Sequence, residues 1–340
     1  MTPTLFKTRL SATKHLPVLA AALAVQALAG AALAETYTVS IADLDIGLVT
    51  SAVSGNTVFR VDPGANTVFP VSGSGTRVSS GGARGVVTVS CAASAPGDCT
   101  KLVNVRLAVT GAPTNRQRTL TRLLYAMGTA QFGGDPSGYG PGNFTIQPIG
   151  PNASKTFYIG ADLTIAGDES GLPTGDSESG FSVFVAPFPA VPTQGGFGRA
   201  RARVLRSITL SKTSDLVFGK VTLPPSGSGV VTLDPGTGAV STTGGIVSLG
   251  VPNPTRATFN VTGEGGQTFS ISMPATFQMT GTTTPLTVTT TNSAGASGLL
   301  SAGLGAQGAF AFGVGGSFTL ANTTKTGDYT GNFTVTVAYN

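Results

Sequence analysis

Apolar and polar residues alternate with a period of two along most of this chain. Residues 257–261 read A-T-F-N-V, and residues 268–273 read T-F-S-I-S-M. Near the end of the sequence, residues 333–339 read F-T-V-T-V-A-Y. One face of each segment is apolar and the other is polar, as in an antiparallel sheet that covers a single core. The pattern predicts short, half-buried β-strands over most of the chain.

Turn signals separate the predicted strands. The triplet Asp-Pro-Gly stands at residues 62–64 and again at 234–236, where Pro sets φ for the first corner and Gly accepts a positive φ. Short strands that each end in a turn predict an all-β protein with two tandem antiparallel Greek-key β-sandwiches of the immunoglobulin or fimbrial type. Residues 118–127 are the exception, because their spacing predicts a single helix or turn.

The chain also repeats itself. Residues 43–64 align without a gap with residues 215–236, and 11 of the 22 positions are identical. Residues 175–186 align with residues 327–338, and 6 of the 12 positions are identical. Each copy is too long for a solenoid repeat and large enough for a core of its own. We therefore expect a tandem repeat of one module.

The first 34 residues have the composition of a cleaved signal peptide. A basic start is followed by an Ala- and Leu-rich run and by Ala32-Leu33-Ala34, a site for signal peptidase. We expect export to the periplasm, the outer cell surface or the medium, with no transmembrane segment in the mature chain. The predicted first module spans residues 35–186, a Pro/Gly linker spans 187–198, and the second module spans 199–340.

The composition excludes several classes of function. Without residues 1–34 the chain carries 17 Lys and Arg against 15 Asp and Glu, so it has no charge that would attract nucleic acid. Residues 35–340 contain no His and no Trp, because the one His of the sequence is His15. A Ser-His-Asp or Cys-His arrangement cannot be built without His. The protein is therefore predicted to be no enzyme and to need no cofactor.

The two cysteines, Cys91 and Cys99, lie eight residues apart in a chain that we expect to be exported. Such a pair favours a disulfide across a loop or the mouth of a hairpin. A redox or metal site is the alternative, but the spacing is not C-x-x-C and no His can complete a zinc site.

Two groups of charged residues are candidates for ligand binding. An acidic stretch could offer carboxylates to calcium, although its spacing differs from the usual calcium loop. Its acidic residues are Asp168, Glu169, Asp176 and Glu178. Three arginines at a spacing of two would share one face of a strand and could meet an anionic ligand, or they could only protect a sheet edge. They are Arg199, Arg201 and Arg203, and Arg116, Arg118 and Arg122 form a looser cluster.

The second half of the chain resembles a known family. The motifs that carry the resemblance are S-D-L-V-F-G-K-V at 214–221, D-P-G at 234–236, A-T-F-N-V-T-G at 257–263 and G-D-Y-T-G-N-F-T-V-T-V-A-Y at 327–339. Their order is similar to that of the bacterial secreted family catalogued as domain of unknown function 4402. Residues 208–340 give the close match, and residues 36–186 a divergent one. The family implies no activity, and its members are similar to fimbrial and spore-coat-like surface subunits.

Two functional hypotheses follow. The first is a structural or adhesive surface protein that adds a strand to a neighbouring subunit, with itself, other surface subunits or a periplasmic chaperone as partners. The candidate strands carry Tyr37, Val39 and Ile41 near the mature N-terminus and Phe333, Val335, Val337 and Tyr339 near the C-terminus. The alternative for both strands is pairing inside their own modules. The second hypothesis is a non-catalytic protein that binds envelope polysaccharide, although the chain lacks Trp.

Overall fold

A computed structural model describes residues 35–133, 142–281 and 284–340. The predicted signal peptide lies outside the described residues. The first unit has eleven strands and a 3₁₀ turn at Asp168–Ser170. The strands are β1 (Thr36–Ala42), β2 (Leu44–Thr50), β3 (Thr57–Asp62), β4 (Thr67–Ser72), β5 (Gly85–Ala92), β6 (Val103–Thr110), β7 (Arg122–Met127), β8 (Gly142–Ile146), β9 (Ala153–Ile165), β10 (Gly175–Pro187) and β11 (Gln194–Leu205).

The second unit follows directly. Its strands are β12 (Thr209–Ser214), β13 (Ser228–Leu233), β14 (Val240–Thr242), β15 (Ala257–Glu264), β16 (Thr268–Ser272), β17 (Thr276–Met279), β18 (Leu286–Asn292), β19 (Ser297–Leu299), β20 (Gln307–Ala321) and β21 (Thr336–Tyr339). The prediction of an all-β fold is confirmed. No helix in the described part of the chain is long and apolar enough to cross a membrane.

The first unit is a β-sandwich with one core. One sheet has the order β1-β5-β9-β3-β4, with β7 also paired to β9, and the other has the order β2-β11-β10-β6-β8. Alternate side chains of both sheets, such as Val87 and Val89 of β5 and Val105 of β6, are fully buried in a single cluster. Two sheets that share one apolar interior form a two-layer sandwich.

The second unit has a similar first sheet and a smaller second one. The larger sheet has the order β12-β15-β20-β13-β14, with β18 on β20 and β17 on β18. The smaller sheet has the order β19-β16-β21. Its buried residues form two separate clusters, one around Phe318 and the other around Phe312.

The pairing registers of the two units correspond. In the first sheet, Val87 pairs with Phe157 in the first unit, and Phe259 pairs with Phe312 in the second. Phe259 lies 172 positions after Val87, and Phe312 lies 155 positions after Phe157. In the second sheet, the pair Ala186–Asn104 of the first unit corresponds in the same way to the pair Ala338–Ser270 of the second. The two units therefore share their strand pairing as well as their sequence pattern.

The predicted boundary between the modules needs correction. Residues 194–205, predicted as the end of a linker and the start of the second module, form β11 of the first unit, between β2 and β10. Glycine is needed in β11 because its neighbours leave no space for a side chain. A Cβ on Gly195 would lie 2.1 Å from the carbonyl oxygen of Val183, and a Cβ on Gly198 would lie 2.5 Å from the ring of Phe181. The first unit therefore extends to Leu205.

The helix predicted for residues 118–127 is also absent. Residues 122–127 form β7, which pairs with β9 along its length. Leu123 is fully buried in the core of the sandwich. The apolar spacing covered too few residues to nucleate a helix, so burial against the sheet decides the conformation of this segment.

Candidate functional site

One strand of the first unit has no counterpart in the described part of the second. The second sheet of the first unit runs β2-β11-β10-β6-β8. By the sequence repeat, residues 216–222 of the second unit correspond to β2, and residues 327–339 correspond to β10. By their pairing registers, β16 corresponds to β6 and β19 corresponds to β8. The described residues of the second unit place no strand where β11 lies in the first. We call this place, between residues 216–222 and residues 331–339, the open strand position.

Both segments that flank the open strand position have lost regular strand structure. β10 is 13 residues long, whereas its counterpart in the second unit is a strand only over the 4 residues of β21. Residues 331–335 belong to no strand. Residues 216–222 form only isolated bridges, of Val217 to Thr255 and of Val221 to Ser248, beside backbone hydrogen bonds from Lys220 N and Thr222 N to carbonyl oxygens of residues 247–251. A strand between the two segments supplies their backbone partners in the first unit, and its absence explains the difference.

The side chains along the open strand position are less buried than their counterparts. Leu44 and Phe181 are fully buried in the first unit. The corresponding residues of the second unit, Leu216 and Phe333, are only partly buried. Val335 and Val337 are also partly buried, although their counterparts on β10 are not exposed at all. A row of apolar side chains that is covered in one unit is therefore accessible in the other.

The missing strand also accounts for the divided core of the second unit. In the first unit, Ala200, Ala202 and Val204 of β11 belong to the single buried cluster. In the second unit, Leu216 packs against both separate clusters from a partly exposed position. Inward side chains from a strand beside Leu216 would add to both clusters, as those of β11 do in the first unit.

The junction between the units is held by buried polar groups, of which Glu264 was not singled out by the sequence pattern. Glu264 is fully buried, and its carboxylate accepts hydrogen bonds from Thr174 Oγ1 at 2.9 Å, Arg206 N at 3.1 Å and Gly305 N at 2.5 Å. Tyr339 Oη donates to the Arg206 carbonyl oxygen at 3.0 Å. Burial raises the pKa of Tyr339 to about 12. The C-terminal strand is thus fixed at its last residues.

Asp168 forms the other half of this junction. Its carboxylate accepts hydrogen bonds from Ser51 Oγ at 2.7 Å and Ser207 Oγ at 2.5 Å, and it pairs with the fully buried Arg116. Burial alone would raise the pKa of Asp168, but the hydrogen bonds from Ser207, Ser51 and Arg116 outweigh it and leave the pKa below its usual value. Arg116, predicted only as part of a loose basic cluster, is therefore a structural residue.

The three-arginine row lies on one face of β11, as its spacing predicts, but its charges are matched. Each arginine forms an ion pair with an acidic residue. The pairs are Arg199–Glu178 at 3.0 Å, Arg201–Asp43 at 2.7 Å and Arg203–Asp176 at 2.7 Å. The hydrogen bond from Arg203 holds the pKa of Asp176 below its usual value. The row is consequently a balanced surface and not a basic patch.

This row borders a groove of about 880 Å³ on the first unit. Its lining includes the polar residues Asp45, Ser79, Asn115 and Ser177 beside the ion pairs, together with Leu48 and Ala202. None of these lining residues, which come from the described part of the chain, is aromatic. We call it the charged groove.

The four carboxylates predicted as calcium ligands are not brought together. Asp168 lies in the junction, while Asp176 and Glu178 pair with arginines of β11. Glu169 Oε1 instead accepts a hydrogen bond from Gly55 N at 2.8 Å. Each carboxylate thus serves a separate internal contact.

The predicted disulfide between Cys91 and Cys99 is present, with the two Cα atoms 6.0 Å apart. Both residues are buried at the end of β5. Glu35 lies beside them. Because the sulfurs are bonded to each other, they offer no thiolate to a metal.

The two strands predicted as donors have different positions. β1, with Tyr37, Val39 and Ile41, pairs with β5 through all seven of its residues, and Tyr37 is buried. Phe333, Val335, Val337 and Tyr339 lie along the open strand position, and the last two belong to β21, which pairs with β16. The C-terminal residues predicted as a donor strand therefore lie beside the open strand position.

Comparison with known proteins gives one family-model match, which lies in the second unit. Residues 208–339 match the family model described as Domain of unknown function (DUF4402). This agrees with the resemblance that the motifs indicated. The match does not include the first unit, whose membership of the family stays a prediction. No curated protein matches the chain.

Three solved structures show low similarity. A chaperone–tip adhesin complex of CFA/I fimbriae is 12% identical, with 72% of this chain and 78% of that chain covered and a TM-score of 0.24. The CsuC–CsuE chaperone–tip subunit complex of Csu pili from Acinetobacter baumannii is 10% identical, with 88% and 99% covered and a TM-score of 0.23. A mutant of the CFA/I adhesin CfaE of enterotoxigenic E. coli is 8% identical, with 88% and 93% covered and a TM-score of 0.26. Similarity at this level assigns no function.

Proposed function

We propose that this protein, whose residues 208–339 match the family Domain of unknown function (DUF4402), is an exported, non-catalytic subunit of a structure on the cell surface. The second unit attaches the protein to its neighbours, and the complete first unit presents a surface to the exterior. The observation that carries this proposal is the open strand position, because an incomplete sheet is a natural site for a strand from another chain. The predicted signal peptide and the near neutrality of the mature chain support the same reading.

The proposal predicts the location and state of the protein in its native cells. A tagged chain should be found with its signal peptide removed, in the outer-surface fraction, and in complexes larger than a monomer. Cell fractionation, N-terminal sequencing and negative-stain microscopy of sheared surface material test this. Recovery only from the cytoplasm with residues 1–34 still attached would contradict the proposal.

A second candidate function is binding of a polysaccharide by the charged groove. The hydroxyl and amide side chains in its lining and its balanced ion pairs suit a ligand with many hydroxyl groups better than a polyanion. A glycan array with the mature chain tests this, with an Arg203→Ala, Asp176→Ala double variant as control. Binding that survives the double variant would place the ligand elsewhere.

A further inference from the structure

The open strand position can be compared directly with the place that β11 occupies in the first unit. In the first unit, β11 runs parallel to β2 and antiparallel to β10, and it buries Ala200, Ala202 and Val204. The flanking segments of the second unit correspond to β2 and β10, and the strands beyond them keep their register. We propose that an extended segment of a different protein occupies the open strand position in the manner of β11. This inference rests on the proposed function and names the binding site that it needs.

The side chains along the position define the inward face of the occupant. Leu216, Phe333 and Val335 present partly buried apolar surface where their counterparts contact β11. The inward residues of β11 are small and apolar and alternate with exposed ones. The occupant therefore carries apolar side chains at alternate positions over about six to eight residues, which is the length of an ordinary strand.

Charge defines its outward face. In the first unit, Asp43 and Asp176 pair with the outward residues Arg201 and Arg203. The repeat places Asp215 and Asp328 at the corresponding positions of the second unit, and both are exposed. Asp215 pairs with Lys212 at 2.5 Å. Outward basic residues on the occupant would meet Asp328, and would compete with Lys212 for Asp215, as the arginines of β11 meet Asp176 and Asp43.

A second copy of this chain is a poorer occupant. Its candidate strand, β1, is paired with β5 along its full length and holds Tyr37 in the core. The Tyr37 backbone N–H also donates to Gln194 Oε1 of β11 at 2.6 Å. Release of β1 would open the first unit, so β1 is not a strand that is free to be donated.

The chain itself supplies the probe. A synthetic peptide with the sequence of residues 194–205 is added to the mature chain, Glu35 to Asn340, and amide hydrogen exchange is followed. A control peptide carries Asp in place of Ala200, Ala202 and Val204. The N–H groups of Val217, Lys220 and Thr222 already donate to backbone carbonyl oxygens on the other side of the segment. We expect exchange at residues 331–335, and at the other amides of residues 216–222, to slow about tenfold or more with the first peptide only, because those amides gain strand partners.

A variant that carries the peptide sequence as a covalent extension, called the linked variant, tests the same site when the free peptide binds too weakly. In this variant a copy of residues 189–205 follows Asn340, which stands where Phe188 stands after β10. The same slowed exchange is expected, and the Asp-substituted extension should lack it. Unchanged exchange with both peptide and extension would overturn the inference. Slowed exchange in the unmodified chain that depends on its own concentration would identify a second copy as the occupant.

These outcomes are independent of the cell experiment. Slowed exchange in a protein that is not exported would leave the strand site in place and remove the proposed function. A surface protein without slowed exchange would keep the proposed function and remove this site.

Discussion

Individual buried polar residues hold the two units together. Glu264 is fully buried, accepts three hydrogen bonds and lies 3.6 Å from Arg206 Nε. A buried carboxylate is stable only when such partners surround it, and its partners then depend on it equally. The same holds for Arg116, whose Nε donates to the Leu172 carbonyl oxygen at 2.9 Å.

Truncation of Glu264 should be costly. Glu264→Ala leaves the Thr174 hydroxyl and the backbone N–H groups of Arg206 and Gly305 without their acceptor, so we expect a loss of about 3 kcal/mol in the free energy of unfolding. Denaturant unfolding of the mature chain measures it. Glu264→Gln retains one acceptor oxygen and should lose less. Equal losses in the two variants would show that these hydrogen bonds are not the cause.

Asp168 should make stability depend on pH in the acid range. Its folded pKa is lowered, so it stabilises the fold above the ordinary Asp pKa of about 4, and this contribution is lost as the pH falls through the folded pKa. The stability difference between the native chain and Asp168→Asn should therefore be largest at neutral pH and shrink below about pH 4. Denaturant unfolding at a series of pH values tests this. A constant difference would contradict the assignment.

At the scale of elements, β11 distinguishes the two units. It closes the second sheet of the first unit and adds to its single core. Without a counterpart, β21 remains short and the second core stays divided. The predicted consequence is that equivalent strands contribute unequally to stability.

Phe181 and Phe333 form a matched pair for this comparison. Phe181 is fully buried, so Phe181→Ala should cost about 4 kcal/mol through lost burial and a cavity. Phe333 is partly exposed and packs on Phe277 with ring centroids 5.1 Å apart, so Phe333→Ala should cost about half as much or less. Denaturant unfolding of both variants measures the costs. In the linked variant the cost of Phe333→Ala should rise, and similar costs from the start would mean that the open strand position is already covered.

At the scale of the whole molecule, the chain combines a complete unit with an incomplete one. Deletion of residues 35–42 removes β1, which should destabilise the first unit because β5 loses one of its two partner strands and the core loses Tyr37. Binding of the 194–205 peptide to the second unit should be unchanged. Thermal unfolding and hydrogen exchange of the deletion variant test this. An intact first unit combined with loss of higher-order assembly would instead identify β1 as a strand donated to a neighbour.

Much of the architecture could be read from the sequence. Alternation at 257–261 and 268–273 predicted β15 and β16, and the paired Asp-Pro-Gly turns marked the repeat. The disulfide followed from two cysteines in a chain expected to be exported. These features are local, because a period of two or a turn triplet acts on the residues that carry it.

Other features depend on residues far apart in the chain. Gly195 and Gly198 were predicted to loosen a linker, yet they allow β11 to approach its neighbours closely. Neither Glu264 nor Asp168 stands in a motif that would reveal the partners that surround it in the junction. Such contacts cannot be read from spacing, because their partners are brought together only when the sheets pack.

The sequence by itself determined that this protein is all-β, and it predicted a repeat of one module and a mature chain without the His that a catalytic triad needs. Its strand periodicity and its composition are properties of the chain that no tertiary contact can alter. The tertiary structure decided which unit owns residues 194–205, that the three arginines are paired, and that the second unit has an open strand position. These points required the structure because the neighbours of a strand are set by the packing of the whole sheet, and an open position can be recognised only when those neighbours are known.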